Sequence, residues 1–99
     1  MQKPKRRDRY VAFEFGDPRR AREVSAAFHA ALATWPREDR PSLIFIERAR
    51  GLARCGHLHK DDLIGLLNGL RIGTPPLPVR TVGTSGTIRA ARSRYFSKP

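Results

Sequence analysis

Residues 10–15, "YVAFEF", run directly into "GDP" at residues 16–18, and that junction constrains the fold more than any other stretch. Val11, Phe13 and Phe15 alternate with Ala12 and Glu14, the period of a strand with one buried face. Asp17 has the chemistry of a helix N-cap and Pro18 that of a first helical residue, so a helix must follow the strand at once. Along that helix Val24, Phe28, Ala31, Leu32 and Trp35 fall on one face, and Pro36 ends it. A strand and a helix that each carry one apolar face can bury them only against a shared core.

The remaining elements follow from the same signals. "SLIFIERA" reads as a strand over at least residues 43–47, and Gly51 is the expected pivot of the turn after it. "LARCGHLH", residues 52–59, is the expected return strand of a hairpin, although Gly56 interrupts it. "DDLIGLLNGL" predicts a helix capped by Asp61 that buries Leu63, Ile64, Leu67 and Leu70. Gly65 and Gly69 weaken it by roughly 1 kcal/mol each relative to alanine. After a Pro/Gly connection at residues 73–78, "VRTV" predicts the last strand and residues 88–96 the last helix. The order β-α-β-β-α-β plus a terminal helix predicts an α+β, ferredoxin-like or RRM-like sandwich with a four-stranded antiparallel sheet. With 99 residues the chain supports a single core. Residues 10–99 form that domain, and residues 1–9 a basic tail.

Charge points to the partner. The formal charge is +11, from 20 Lys and Arg against 9 Asp and Glu. Residues 1–10 contribute +4 and residues 79–99 contribute +5, whereas the longer stretch between them adds only +2. No acid follows Asp62. In the expected topology the start of the first strand lies beside the end of the last, which brings both cationic ends to one edge of the domain. Such a patch attracts a polyanion. A helix lying on a membrane surface would need large apolar groups on its exposed side, and the last helix lacks them. No apolar run is long enough to span a bilayer, and the apolar stretch behind the basic N-terminus is too short for a secretory signal. Cys55, the single cysteine, excludes an internal disulfide and suits a reducing compartment, so a cytoplasmic protein is expected.

Between the last strand and last helix stands "TSGT", residues 84–87. Thr84 or Ser85 can cap the helix, and Gly86 lets a ligand approach the backbone. Arg89 and Arg92 lie one turn apart beyond it, and Ile88, Ala91 and Tyr95 form the apolar stripe expected to dock on the body. An ordinary capped helix end accounts for the same letters; the flanking arginines favour a seat for phosphate. Base stacking on the sheet needs aromatic rings on two central strands, and the third strand offers none but histidine. Cys55, His57 and His59 fall on one side of that strand, but without paired spacing or a fourth ligand they read as structural and surface residues, not a metal site. "GTSGT" is not a nucleophile elbow, and Asp61 and Asp62 are explained by a helix cap, so no catalytic residue is assigned.

"KRRDRYVAFEF" and "VRTVGTSGTIRAARSRYF" together resemble the ribonuclease P protein component 2 family of archaeal and eukaryotic ribonuclease P. The matching positions are Arg9, Tyr10, Gly83, Ser85, Gly86, Thr87 and Ile88, with Thr84 where an apolar residue is usual. The likeness covers less than a third of the chain directly. It implies an RNA-binding subunit of the endonuclease that removes the 5′ leader of precursor tRNA, with catalysis and Mg2+ belonging to the RNA component and no cofactor in this chain. It further implies a partnership with the TIM-barrel protein, component 3, and a capacity for self-association. The residues expected to meet RNA are Lys3, Lys5, Arg6, Arg7, Arg9, Tyr10, Arg80, Thr84, Ser85, Gly86, Thr87, Arg89 and Arg92. The competing readings are another structural RNA-binding protein, of ribosomal or RNA-chaperone type, and a protein-interaction scaffold.

Overall fold

Strand β1 (Asp8–Glu14) is central, with a neighbour on each side. The computed structural model describes residues 7–96. Asp17 caps the chain's first turn by accepting a hydrogen bond from Arg19 N, with Pro18 behind it. That turn is a tight 3-10 turn, Pro18–Arg20, and α1 (Ala21–Ala31) continues from it. Strands β2 (Ser42–Glu47) and β3 (Arg50–Gly56) form a hairpin, followed by α2 (Lys60–Gly69). A short ribbon, β4 (Arg71–Ile72) and β5 (Leu77–Pro78), precedes β6 (Arg80–Ser85) and α3 (Ile88–Ala91). Beyond α3 the chain widens into a π-helical turn, Arg92–Phe96.

The four long strands lie in the order β2-β3-β1-β6, and every neighbouring pair is antiparallel. One face carries the main core, where Val11, Phe13 and Phe15 meet Val24, Phe28 and Leu32 of the first helical segment and Leu63 and Leu67 of α2. Ile64 and Trp35 pack at its margin. The alternation in residues 10–15 thus works as predicted. The opposite face is also covered: Ala12, Leu52 and Ala91 are buried together, flanked by Tyr10, Phe45, Tyr95 and Phe96. The C-terminal segment is therefore a third layer lying on the second face of the sheet.

Several boundaries differ from the sequence reading, each for a local reason. The hairpin pivots at Arg48, whose φ is 56°, in the two-residue connection between Glu47 and its partner Arg50. Gly51 stands instead inside β3, opposite Phe13, where a Cβ would collide with the phenyl ring. Strand β3 ends at Gly56, because His57–His59 wind into a 3-10 turn that leads into α2. That turn supplies the helix start without a side-chain cap, so Asp61 is a first-turn residue and not the cap. The Pro/Gly connection turns the chain between β4 and β5, and β4 carries the buried Ile72. Strand β6 runs on through Gly83, Thr84 and Ser85, since these continue to pair with Ala12, Val11 and Tyr10.

Candidate nucleic-acid interface

The site begins with a pairing. Tyr10 lies opposite Ser85 in the β1–β6 ladder, so the segments around "RY" and "SGT", 75 residues apart, are neighbours. Arg9 reaches across this junction: a Cβ placed on Gly86 would sit 3.3 Å from Arg9 Nη1. Glycine at 86 leaves room for that guanidinium. Arg7 anchors the same end of the sheet, its carbonyl oxygen accepting from His57 N at 2.8 Å. Arg54 sits opposite Tyr10 on β3 and is exposed. Ser42, Arg54, Tyr10 and Ser85 thus form one row across all four strands on the face that α3 also uses.

The elbow is built differently from its sequence reading. The cap is Thr87, whose Oγ1 accepts from Ala90 N at 3.1 Å, and neither Thr84 nor Ser85 takes that role. Ser85 remains in the strand, 8 % exposed, and its Oγ accepts from Thr87 N at 3.5 Å. Two amides of the elbow, those of Thr87 and Ala90, are thereby occupied by its own side chains. The groups left open at this elbow are guanidinium groups more than backbone amides. Arg89 lies in the first turn after the cap and is exposed; among the described residues neither it nor Arg9 nor Arg54 has a carboxylate partner.

Arg80 and Arg92 do not join this cluster. Arg80 pairs with Glu14, whose other oxygen receives Arg50 at 3.3 Å, and Arg50 also donates to Tyr95 O at 2.7 Å. Arg92 donates to Glu47 at 3.2 Å and lies over the Phe45 ring, 4.2 Å from its centroid. Glu14 and Glu47 each pair with Arg50 next to the hairpin turn, at the opposite end of the strands from Ser85. A seven-residue strand separates the two ends by about 20 Å. The single patch expected from charge alone is thus divided: Arg7, Arg9, Tyr10, Thr84, Ser85, Gly86, Thr87 and Arg89 gather at one end, and Arg80 and Arg92 are neutralised at the other. Lys3, Lys5 and Arg6 lie outside the described residues.

The apolar stripe of the last helix also shifts. Ala91 and Tyr95 face the sheet as expected, but Ile88 is exposed, and Phe96 takes the further contact by meeting Phe45 edge-on at 4.8 Å. Tyr95 lies on Gly83, where a Cβ would overlap its ring, and its hydroxyl donates to Thr84 O at 3.4 Å. The only ring on the outer strand β2 is therefore sandwiched between Phe96 and Arg92, and Tyr10 is half-buried. The face on which bases would stack is occupied by the protein's own C-terminal segment.

The residues weighed for metal or covalent chemistry are dispersed. Cys55 is buried in the main core, and burial together with the nearby Asp8 charge pushes its thiol pKa up. His57 Nδ1 lies 3.3 Å from Arg7 O, while His59 stands between Asp39 and Asp62, so the three do not share one side of a strand. Among the described residues no three His, Cys, Asp or Glu are grouped to hold a metal ion. Among them, too, no helix is long and apolar enough to cross a membrane. Sequence reasoning missed Arg54; the signal lay in its alternation with Leu52, legible only once the pairing with Tyr10 is known. No protein-family model matches the chain, and no curated protein matches it significantly.

Proposed function

We propose that this chain is an RNA-binding subunit of ribonuclease P, of the component 2 type, built on a ferredoxin-like sandwich and assisting a catalytic RNA in removing the 5′ leader of precursor tRNA. One observation carries the reading: of the two motifs that bear the family resemblance, Tyr10 and Ser85 are register partners on adjacent strands, and the Arg9 guanidinium lies beside Gly86. Residues so far apart in sequence gain a shared purpose from a shared surface. The fold reading rests on the strand order, with the first and last long strands adjacent and antiparallel.

The mechanism is electrostatic. Arg9 beside Gly86, Arg54 opposite Tyr10 and Arg89 in the first turn of α3 supply guanidinium groups from three elements, and such forks bind phosphate oxygens in bidentate fashion. With the sheet face covered, the contacts go to backbone phosphates of folded RNA and not to splayed bases. Screening phosphates where RNA helices converge raises the population of the folded catalytic RNA and strengthens its hold on Mg2+. The TIM-barrel protein, component 3, completes the proposed assembly.

The test is reconstitution with the RNA, the other protein subunits and a precursor tRNA at limiting Mg2+. An Arg9→Glu/Arg89→Glu variant should cleave at least about tenfold more slowly than wild type, from the loss of two charged contacts. An Arg80→Gln variant, altered at the far end, should stay within about twofold. Equal rates for wild type and the double glutamate variant would remove the corner from the mechanism. Salt-sensitive RNA binding without any stimulation of cleavage would point to another kind of structural RNA-binding protein.

A further inference from the structure

A second surface has the opposite chemistry. Where α1 ends and α2 begins, a groove of about 580 Å³ is walled by Trp35, Pro36 and Leu66 and edged by Asp39, His59 and Asp62. In a chain with 20 Lys and Arg, no lysine or arginine among the described residues lines it. Arg40, next to Asp39, is turned away onto carbonyl oxygens, donating to Trp35 O at 3.0 Å and Ala33 O at 3.3 Å, while Arg37 and Lys60 flank the groove without lining it. His59 Nε2 lies 3.4 Å from Asp39 and its Nδ1 3.9 Å from Asp62, and its ring meets Trp35 edge-on at 5.9 Å. A second depression shares Asp39 and His59 and adds Glu38 and Leu58. Leu58 is 80 % exposed, the most exposed large apolar residue among those described.

We infer that this continuous surface docks a segment of another protein that carries lysine or arginine beside an apolar side chain. Leu58 and the half-exposed Trp35 offer apolar area that is unfavourable to leave in water, and aromatic anchors of this kind dominate binding energies at interfaces. Asp39 and Asp62 edge that area with negative charge, and the Trp35 face suits a cation as well as an alkyl chain. Nucleic acid is excluded by the same carboxylates. Trp35 and Leu66 pack on the helical face of the sheet and Ala91 on the other, so the groove and α3 lie on opposite faces. This inference does not depend on the identity of the RNA.

Trp35 is the only tryptophan, which makes it a direct reporter. The probe is a synthetic helical peptide with leucines along one face and lysines along the other; its control replaces every lysine with glutamate. A protein of charge +11 repels the lysine peptide over most of its surface, which favours an acidic groove as the binding place. Saturable binding with a blue shift of Trp35 emission is expected for the lysine peptide. Affinity should weaken about tenfold or more in Asp39→Asn/Asp62→Asn and in Leu58→Ser, each checked for an unchanged circular dichroism spectrum. Tighter binding of the glutamate peptide overturns the proposal, as does equal affinity of wild type and variants. So does an unmoved Trp35 spectrum up to about 1 mM peptide, the weak limit for a specific contact. Self-association of the protein alone that the Asp39→Asn/Asp62→Asn change abolishes also overturns it, by assigning the surface to a second copy.

Discussion

Gly51 and Gly83 are positions where a ring takes the space of a side chain, Phe13 on one face of the sheet and Tyr95 on the other. Gly51→Ala should therefore lower stability by about 1–3 kcal/mol, the usual cost of overpacking a core, read from the urea midpoint at unchanged slope. Cys55 gives a prediction in pH. Its pKa is raised in the fold, so the neutral thiol contributes stability that is complete below the unfolded thiol value of about 8.5 and is lost as pH rises beyond it. Wild type should lose stability above that pH more steeply than Cys55→Ala, and a thiol reagent should label the unfolded chain but not the native one. Asp17 carries the reverse sign: the hydrogen bonds from Arg19 hold its carboxyl below the usual range, so its cap persists above the unfolded value and fails as pH falls through the folded one. Asp17 was legible as a cap because Pro18 follows it; Arg54 was illegible because exposure on a strand depends on register, which no single strand carries.

The elements show where local chemistry suffices and where pairing overrides it. Gly51 attracts the turn assignment on composition, yet the turn falls on Arg48 because Glu47 and Arg50 close the ladder. Arg48 holds a left-handed φ of 56° that a glycine adopts without strain. Arg48→Gly should thus be neutral or stabilising by about 0.5 kcal/mol in thermal unfolding, where most substitutions in the flanking strands destabilise. In the C-terminal segment Thr87→Ala removes the one side-chain cap and should cost about 1 kcal/mol, measured by denaturant titration. "TSGT" was read as an elbow from its small residues, but two of them stay in β6, because Tyr10 and Val11 hold partners for Ser85 and Thr84. An unpaired β1 edge there would have freed them to cap the helix.

At the scale of the molecule, charge is sorted by topology. Glu14 and Glu47 neutralise arginines beside the hairpin turn, while Arg9, Arg54 and Arg89 lack carboxylate partners among the described residues. Affinity for structured RNA should fall steeply with added salt, and replacing Arg9, Arg54 and Arg89 with glutamine should reduce the slope of log K against log salt by roughly 2 to 3. Filter binding over a salt series measures it.

The sequence by itself determined the order of the long strands and helices, the apolar faces of β1 and the first helix, and the concentration of positive charge at the chain's two ends, because periodicity and composition act over neighbouring residues. Only the tertiary structure decided which of those charges meet. It set Arg9 against Gly86, tied Arg80 and Arg92 to acids about a strand's length away, and laid Tyr95 and Phe96 over the second face of the sheet. Register and strand order join residues distant in the chain, and these are long-range choices that local spacing does not carry.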